Sequence, residues 1–178
     1  MSGKDYLGKV KGERSFLERI MGYIPLYHGY KEKELRRESD RLVRMEVVNK
    51  LKAAKTSIRQ AFTSPAAVQK LSPDDASKYD TLTYRLDRIT QRVDRAVAGY
   101  AGMFDAVKVK EDKLDTVIQT DVNFVEKAEE IRADSVNLSK IQPGIPDWGT
   151  AADALISKIG DFDSLIDERS EVLRGLGA

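Results

Sequence analysis

Apolar residues recur along this chain mainly at intervals of three, four and seven with charged residues between them, the spacing that lays a stripe on one face of an α-helix. The first such stretch, ERSFLERIMGYIPLY, puts Phe16, Leu17, Ile20, Met21 and Ile24 on one side of a short helix that Pro25 keeps from continuing. After Gly29, the positions of Leu35, Leu42, Met45, Val48, Leu51, Ile58 and Phe62 predict a long helix from Tyr30 to about Thr63, which Ser64 and Pro65 end or bend. A sharper start signal follows. Ser72 can accept an orphan first-turn amide, Pro73 sits where its missing N–H is harmless, and Asp74 and Asp75 put negative charge at the positive helix end. Tyr79, Leu82, Leu86, Ile89, Val93, Val97 and Tyr100 extend that stripe, and Gly99 and Gly102 supply an exit.

The connection GMFDAVKVK is too apolar for a solvated linker and is expected to fold back over a bundle end. From about Glu111, the residues Leu114, Val117, Asp121, Phe124, Ala128, Ile131 and Leu138 outline a third long helix, widened by Ile118 and Val125. Asp121 is out of character in an apolar stripe, and belongs either near an edge or beside a basic partner. QPGIPDWG then breaks the pattern, with Trp148 covering the apolar side of the turn, and a last helix is expected near Thr150 or Ala151. Ala151, Leu155, Ile159, Phe162, Ile166 and Leu173 form its packing face. Four long amphipathic elements with punctuated connections predict an all-α protein, an antiparallel four-helix bundle with a short N-terminal amphipathic helix. Residues 1–28 are read as the N-terminal segment and turn and 29–178 as the bundle, together one domain. A long two-stranded coiled coil is disfavoured because the heptads are repeatedly interrupted.

The composition fits this picture. At 178 residues, 41% hydrophobic and 33% charged, the chain can bury a core as one domain. The absence of cysteine removes disulfides and thiolate metal sites and is compatible with a cytoplasmic location. No apolar run is long enough to span a membrane, and the N-terminal sequence lacks the pattern of a secretory signal. The net charge of +1 hides an asymmetry: residues 1–60 hold fifteen Lys or Arg against eight Asp or Glu, and residues 105–178 hold nine against sixteen. Either these regions lie side by side and neutralise each other, or they create local fields for partners.

Two segments carry a resemblance. Ile24, Pro25, Tyr27, Gly29, Tyr30, Lys31, Glu32, Lys33, Glu34, Arg36, Arg37, Asp40 and Arg44 match an I-P-G-Y-x-G-Y-K-E-K-E-x-R-R-x-x-D-x-x-x-R pattern, with Leu26 in place of its glycine. Gly99, Tyr100, Gly102, Phe104, Asp105, Ala106 and Val107 match a connection between central helices. Together they resemble an uncharacterised family of prokaryotic helical proteins. The resemblance implies organisation; it brings no activity or catalytic residue set.

No constellation of residues spells an active site. His28 is the sole histidine and lacks the local spacing of a zinc site, so it reads as structural or exposed. Glu126, Glu129, Glu130 and Asp134 form a run in which Lys127 and Arg132 allow compensation, the pattern of a solvated acidic face. No metal and no cofactor is expected. The most charged feature, KEKELRRESDRLVR, makes Tyr27, Tyr30, Lys31, Lys33, Arg36, Arg37, Arg41 and Arg44 the candidate interaction surface, although Glu32, Glu34, Glu38 and Asp40 are interleaved with it. The two tyrosines either pack over the turn or offer hydroxyls to a partner. The expected function is a non-catalytic protein interaction or scaffold module. The alternatives are RNA, DNA or ribosome association through the basic stripe, peripheral membrane contact through Phe16 to Ile24, and a homodimer.

Overall fold

The computed structural model describes residues 16–30, 33–63, 65–96 and 111–175. Residues 16–23 form α1, and the chain continues through α2 (Lys33–Gln60), α3 (Pro65–Gln69), α4 (Pro73–Asp94), α5 (Glu111–Lys140) and α6 (Pro146–Arg174). The long helices α2, α4, α5 and α6 make a four-helix bundle, preceded by the short α1. On α4 the expected Leu82, Leu86, Ile89 and Val93 are buried, and α5 and α6 bury most of their expected rows. On α2 Val48, Leu51 and Ile58 are buried as expected, but the core face is completed by Val43, Val47 and Ala54. Met45, expected in the stripe, is 47% exposed because the buried face is turned toward the 43, 47 and 54 positions.

Consecutive long helices run in opposite directions, but the order around the ring is α2, α4, α6, α5. Lys55 of α2 meets Asp87 of α4, and Arg44 meets the carbonyl of Asp94, so this pair is antiparallel. Lys50 meets Glu129 of α5 as Asp40 stands level with Asp121, so α2 and α5 are parallel neighbours. Lys78 meets Asp153 and Arg92 meets Asp167, which makes α4 and α6 parallel too. The ends of α4 and α5 therefore lie on a diagonal of the bundle. The residues joining them, including the expected GMFDAVKVK cover and the Gly99/Gly102 exit, lie outside the described residues.

The start of α4 is formed as its residues dictate. The Asp75 amide donates to Ser72 Oγ at 3.0 Å, and Pro73 occupies the first turn. The start of α6 is not at Thr150 or Ala151. Pro146 opens the helix as a first-turn residue, with Ile145 in the cap position making no side-chain cap bond, and Thr150 lies inside, its hydroxyl donating to the Pro146 carbonyl at 3.1 Å. A proline read as a breaker thus acts as a starter, because its fixed φ suits the first turn. The extra turn carries Trp148 into the bundle end, where its ring meets Phe62 at 5.6 Å and Phe62 meets Tyr79 at 4.5 Å.

The turn before α6 depends on Gly144. Its φ is +88°, and a Cβ there would stand 2.5 Å from the Lys70 carbonyl oxygen. Gly144→Ala combines a disfavoured backbone angle with a clash against main chain, and is expected to lower stability by more than about 2 kcal/mol in urea unfolding. Gly175→Ala, whose Cβ would meet nothing within 4 Å, is the control expected to change it little.

Candidate functional site

The N-terminal turn alternates inward and outward. Ile24, Tyr27 and Tyr30 are buried, whereas Leu26 and His28 are exposed. Gly29 supplies the left-handed φ of +74° that the reversal needs, and its carbonyl accepts from Ser39 Oγ at 2.6 Å. The Tyr30 carbonyl accepts from Arg36 Nε at 3.0 Å. These bonds tie the turn to the opening of α2. Leu26, which departs from the glycine of the resembling pattern, keeps a negative φ and brings no strain.

The tyrosines point into a buried polar cluster. Arg169 of α6 is 2% exposed and donates from Nε to Asp121 Oδ1 at 2.8 Å and from Nη1 to Asp40 Oδ1 at 3.0 Å. Its Nη2 reaches the Tyr30 hydroxyl at 3.3 Å, and its guanidinium lies 5.3 Å from the centre of the Phe124 ring. Tyr27 donates to Asp121 Oδ2 at 3.1 Å. Arg44 donates to Asp40 Oδ2 at 2.9 Å and also to the Asp94 carbonyl at the end of α4, at 3.2 Å. One hydrogen-bonded system therefore touches all four bundle helices and the turn.

Burial pushes the Asp121 carboxyl above its ordinary value, against the opposing pull of Arg169 and a hydrogen bond from Tyr30. Burial likewise raises both tyrosines far above the phenol range, reinforced by the Asp121 charge. The phenols are held as neutral donors. Two carboxylates, two guanidiniums and two hydroxyls are matched as acceptors and donors in a site closed to solvent except at Arg44 on its edge, an arrangement suited to holding helices together.

Asp121 is thus the partner of a basic residue, the second of the two placements its sequence position allowed. Arg169 was missed. It occupies the stripe between Ile166 and Leu173, where the run of apolar residues hid it. A charge on the inner stripe of one helix calls for an opposite charge on the inner stripe of another, and that signal was available.

The candidate interaction surface divides. Tyr27, Tyr30 and Arg36 are 3%, 0% and 4% exposed and belong to the interior, because the turn drives both rings between helices and Arg36 is used to hold the Tyr30 carbonyl. Arg37 and Arg41 are exposed, and Arg41 pairs with Glu38 at 2.6 Å. Arg44 is largely covered by its contact with Asp40. Lys31 and the side chain of Lys33 lie outside the described residues. The Arg41 hydrogen bond holds the Glu38 carboxyl below its ordinary value.

The acidic run on α5 is compensated across helices. Arg19 of α1 pairs with Glu126 at 2.5 Å, and Lys50 with Glu129 at 2.8 Å. Hydrogen bonds from Arg132 and Lys50 hold Glu129 down at about 2. Among the described residues, α1 and α2 of the basic N-terminal region lie against α5 of the acidic C-terminal region at these pairs. Among the described residues no three His, Asp or Glu side chains gather as a metal site, and no helix is long and apolar enough to cross a membrane.

Arg169→Met is expected to lower stability by about 3 to 5 kcal/mol in urea unfolding, since it leaves Asp40 and Asp121 buried around a missing cation. Glu129 supplies a pH signature. Its depressed value means that its contribution is present above pH 4.5 and is lost as pH falls toward 2. Glu129→Gln should cost about 1 kcal/mol at pH 7, after allowance for solvent screening of partly exposed partners, with the difference from the native chain closing near pH 2. Urea titrations at the two pH values check this. Comparison with family models, with curated proteins and with solved structures finds no match, and the functional reading rests on the geometry.

Proposed function

We propose that this protein is a non-catalytic protein interaction module whose docking surface is the outer side of the 24–30 turn and the first turns of α2. The observation that carries the reading is Leu26, 67% exposed on a turn whose alternate residues are locked into the core. A large apolar side chain held in water on a rigid support is a preorganised anchor, because little conformational freedom remains to be lost on binding. Arg37, Glu38 and Arg41 on the first turns of α2 add charges of both signs to this surface, which suits a protein partner of mixed polarity. Tyr27, Tyr30 and Arg36 serve this surface from within as positioning residues.

The competing readings draw less support. Several cations of α2 that would meet phosphate are engaged: Arg41 by Glu38, Arg44 by Asp40, Lys50 by Glu46 and Glu129, and Lys55 by Asp87. Of the apolar residues in and just after α1 that would enter a membrane, Ile20 and Ile24 are buried in the bundle and Phe16, Leu17 and Tyr23 pack partly against it, whereas Met21, expected on the same inward side, is 47% exposed.

The test is capture from an extract of the source cells, with each captured protein then measured singly against the native chain, Leu26→Asp and Arg41→Glu. Leu26→Asp should weaken the specific partner by about tenfold or more, the scale of one anchor residue, while the thermal unfolding curve stays in place. Unchanged affinity in both folded variants overturns the surface. Salt-sensitive binding to single-stranded or duplex nucleic acid at low ionic strength would replace the protein reading with the nucleic-acid one.

A further inference from the structure

Because α4 and α6 run parallel, their N-termini lie side by side, at the end of the bundle opposite the 24–30 turn. A pocket of about 330 Å³ opens between them, lined by Ser72, Asp75 and Lys78 from the start of α4 and by Ile145, Gly149 and Asp153 from the start of α6. Asp75 is the third residue of α4, placed there by the cap bond from its amide to Ser72 Oγ. It is 8% exposed and lines the pocket, yet its carboxylate makes no hydrogen bond and no ion pair among the described residues. Lys78 does not serve it, since that ammonium is held by Asp153 at 2.8 Å and Asp74 at 3.2 Å. The other buried aspartates, Asp40 and Asp121, are both matched by guanidiniums. A buried acceptor without a donor is costly, and Asp75 stands apart in this respect.

Gly149 keeps the space beside that carboxylate open. A Cβ there would stand 3.6 Å from Asp75 Oδ1 and 3.4 Å from Lys78 Nζ, contacts with side-chain ends and not with main chain. Packing therefore does not demand glycine, although glycine is among the least favourable residues inside a helix. The position weakens α6 and leaves the Asp75 carboxylate approachable.

The charge balance sets the kind of ligand. Asp74, Asp75 and Asp153 bring three negative charges to the pocket and Lys78 one positive charge, while the two helix N-termini add about half a positive charge each. About one negative charge remains, which a monovalent cation matches. The acceptors call for a cation that carries its own N–H donors. A guanidinium presents paired donors in the geometry of a carboxylate, and it is more weakly hydrated than an ammonium, so it gives up less water on entering a mostly closed site. We propose that this pocket binds one guanidinium group, paired with both oxygens of Asp75 and lying over Gly149. The group belongs to an arginine side chain of a partner or to a small guanidino compound. This site is independent of the surface proposed around Leu26.

Titration of the full chain, labelled with nitrogen-15 and followed through its amide signals, tests the assignment. The probes are methylguanidinium as the bare group, L-arginine as a small guanidino compound, and the capped peptide acetyl-Gly-Gly-Arg-Gly-Gly-amide as a protein-like source. Methylguanidinium should move the Asp75, Lys78 and Gly149 amides saturably, whereas tetramethylammonium, a cation without N–H donors, should not. Asp75→Asn, which keeps the shape of the side chain, should weaken binding about tenfold, the scale of one hydrogen bond to a charged group. Gly149→Leu fills the space with a good helix former and should abolish saturable shifts without lowering the thermal unfolding midpoint. Tighter binding of the peptide than of L-arginine assigns the group to a partner's side chain, and the reverse order assigns it to a small compound; both support the site. Shifts that are absent, that never saturate, that tetramethylammonium reproduces, or that persist undiminished in folded Asp75→Asn overturn it.

Discussion

The bundle is organised around one buried cation. Arg169 projects from α6 across the bundle axis to Asp40 of α2 while holding Asp121 of α5. A guanidinium in this position is tolerated only if its donors and both carboxylates are matched, since an uncompensated buried charge costs several kcal/mol. That requirement reaches outward. Asp121 has oxygens left over and takes the Tyr27 hydroxyl. Asp40 takes Arg44, which in turn holds the end of α4 through the Asp94 carbonyl. The N-terminal turn is therefore part of the charge balance of the core, and its tyrosines are fixed by a demand that originates on the last helix.

This dependence explains what could be read from the residues and what could not. The stripes on α2, α4, α5 and α6 follow from local periodicity, and the start of α4 follows from Ser72 and Pro73, whose physics is confined to one helical turn. Pro146 was misjudged because a proline is a starter or a breaker according to which side of it the helix lies, and the sequence around it offers both. The site was harder still. Tyr27 and Tyr30 beside a basic helix suggest an aromatic, cationic surface until the buried carboxylate that claims them is located, and Asp121 is 91 residues beyond Tyr30 in the chain. Arg36 is likewise indistinguishable from Arg37 by composition. One faces the turn and the other faces water because of a rotation of about 100° between successive helix positions.

The division of the turn into inner and outer residues bears on function through rigidity. Ile24, Tyr27, Gly29 and Tyr30 are held by packing or by hydrogen bonds to α2 and α5, so the intervening Leu26 and His28 have little freedom of position. A satisfied buried network thus gives the exterior of the turn a fixed shape, although the tyrosines, Asp40, Asp121 and Arg169 are themselves inaccessible. The residues that looked most reactive in the sequence act on the surface only through the backbone they immobilise.

The surface ion pairs have a comparable role in choosing the arrangement of the helices. Four alternating helices can close a ring with every neighbour antiparallel, which would place α4 and α6 on a diagonal. Here Lys78 with Asp153, Arg88 with Asp163 and Arg92 with Asp167 share one sequence offset of 75 residues, the mark of two helices in parallel register along their length. Each pair is partly exposed and worth little alone. Their common offset matters more than their individual strength, because the all-antiparallel ring would forfeit the whole ladder at once and leave acidic and basic rows without partners. A hydrophobic core of leucine, isoleucine and valine discriminates weakly between the two rings. The periodic charges on α4 and α6 discriminate by register, and the diagonal placement of α4 and α5 follows from that choice.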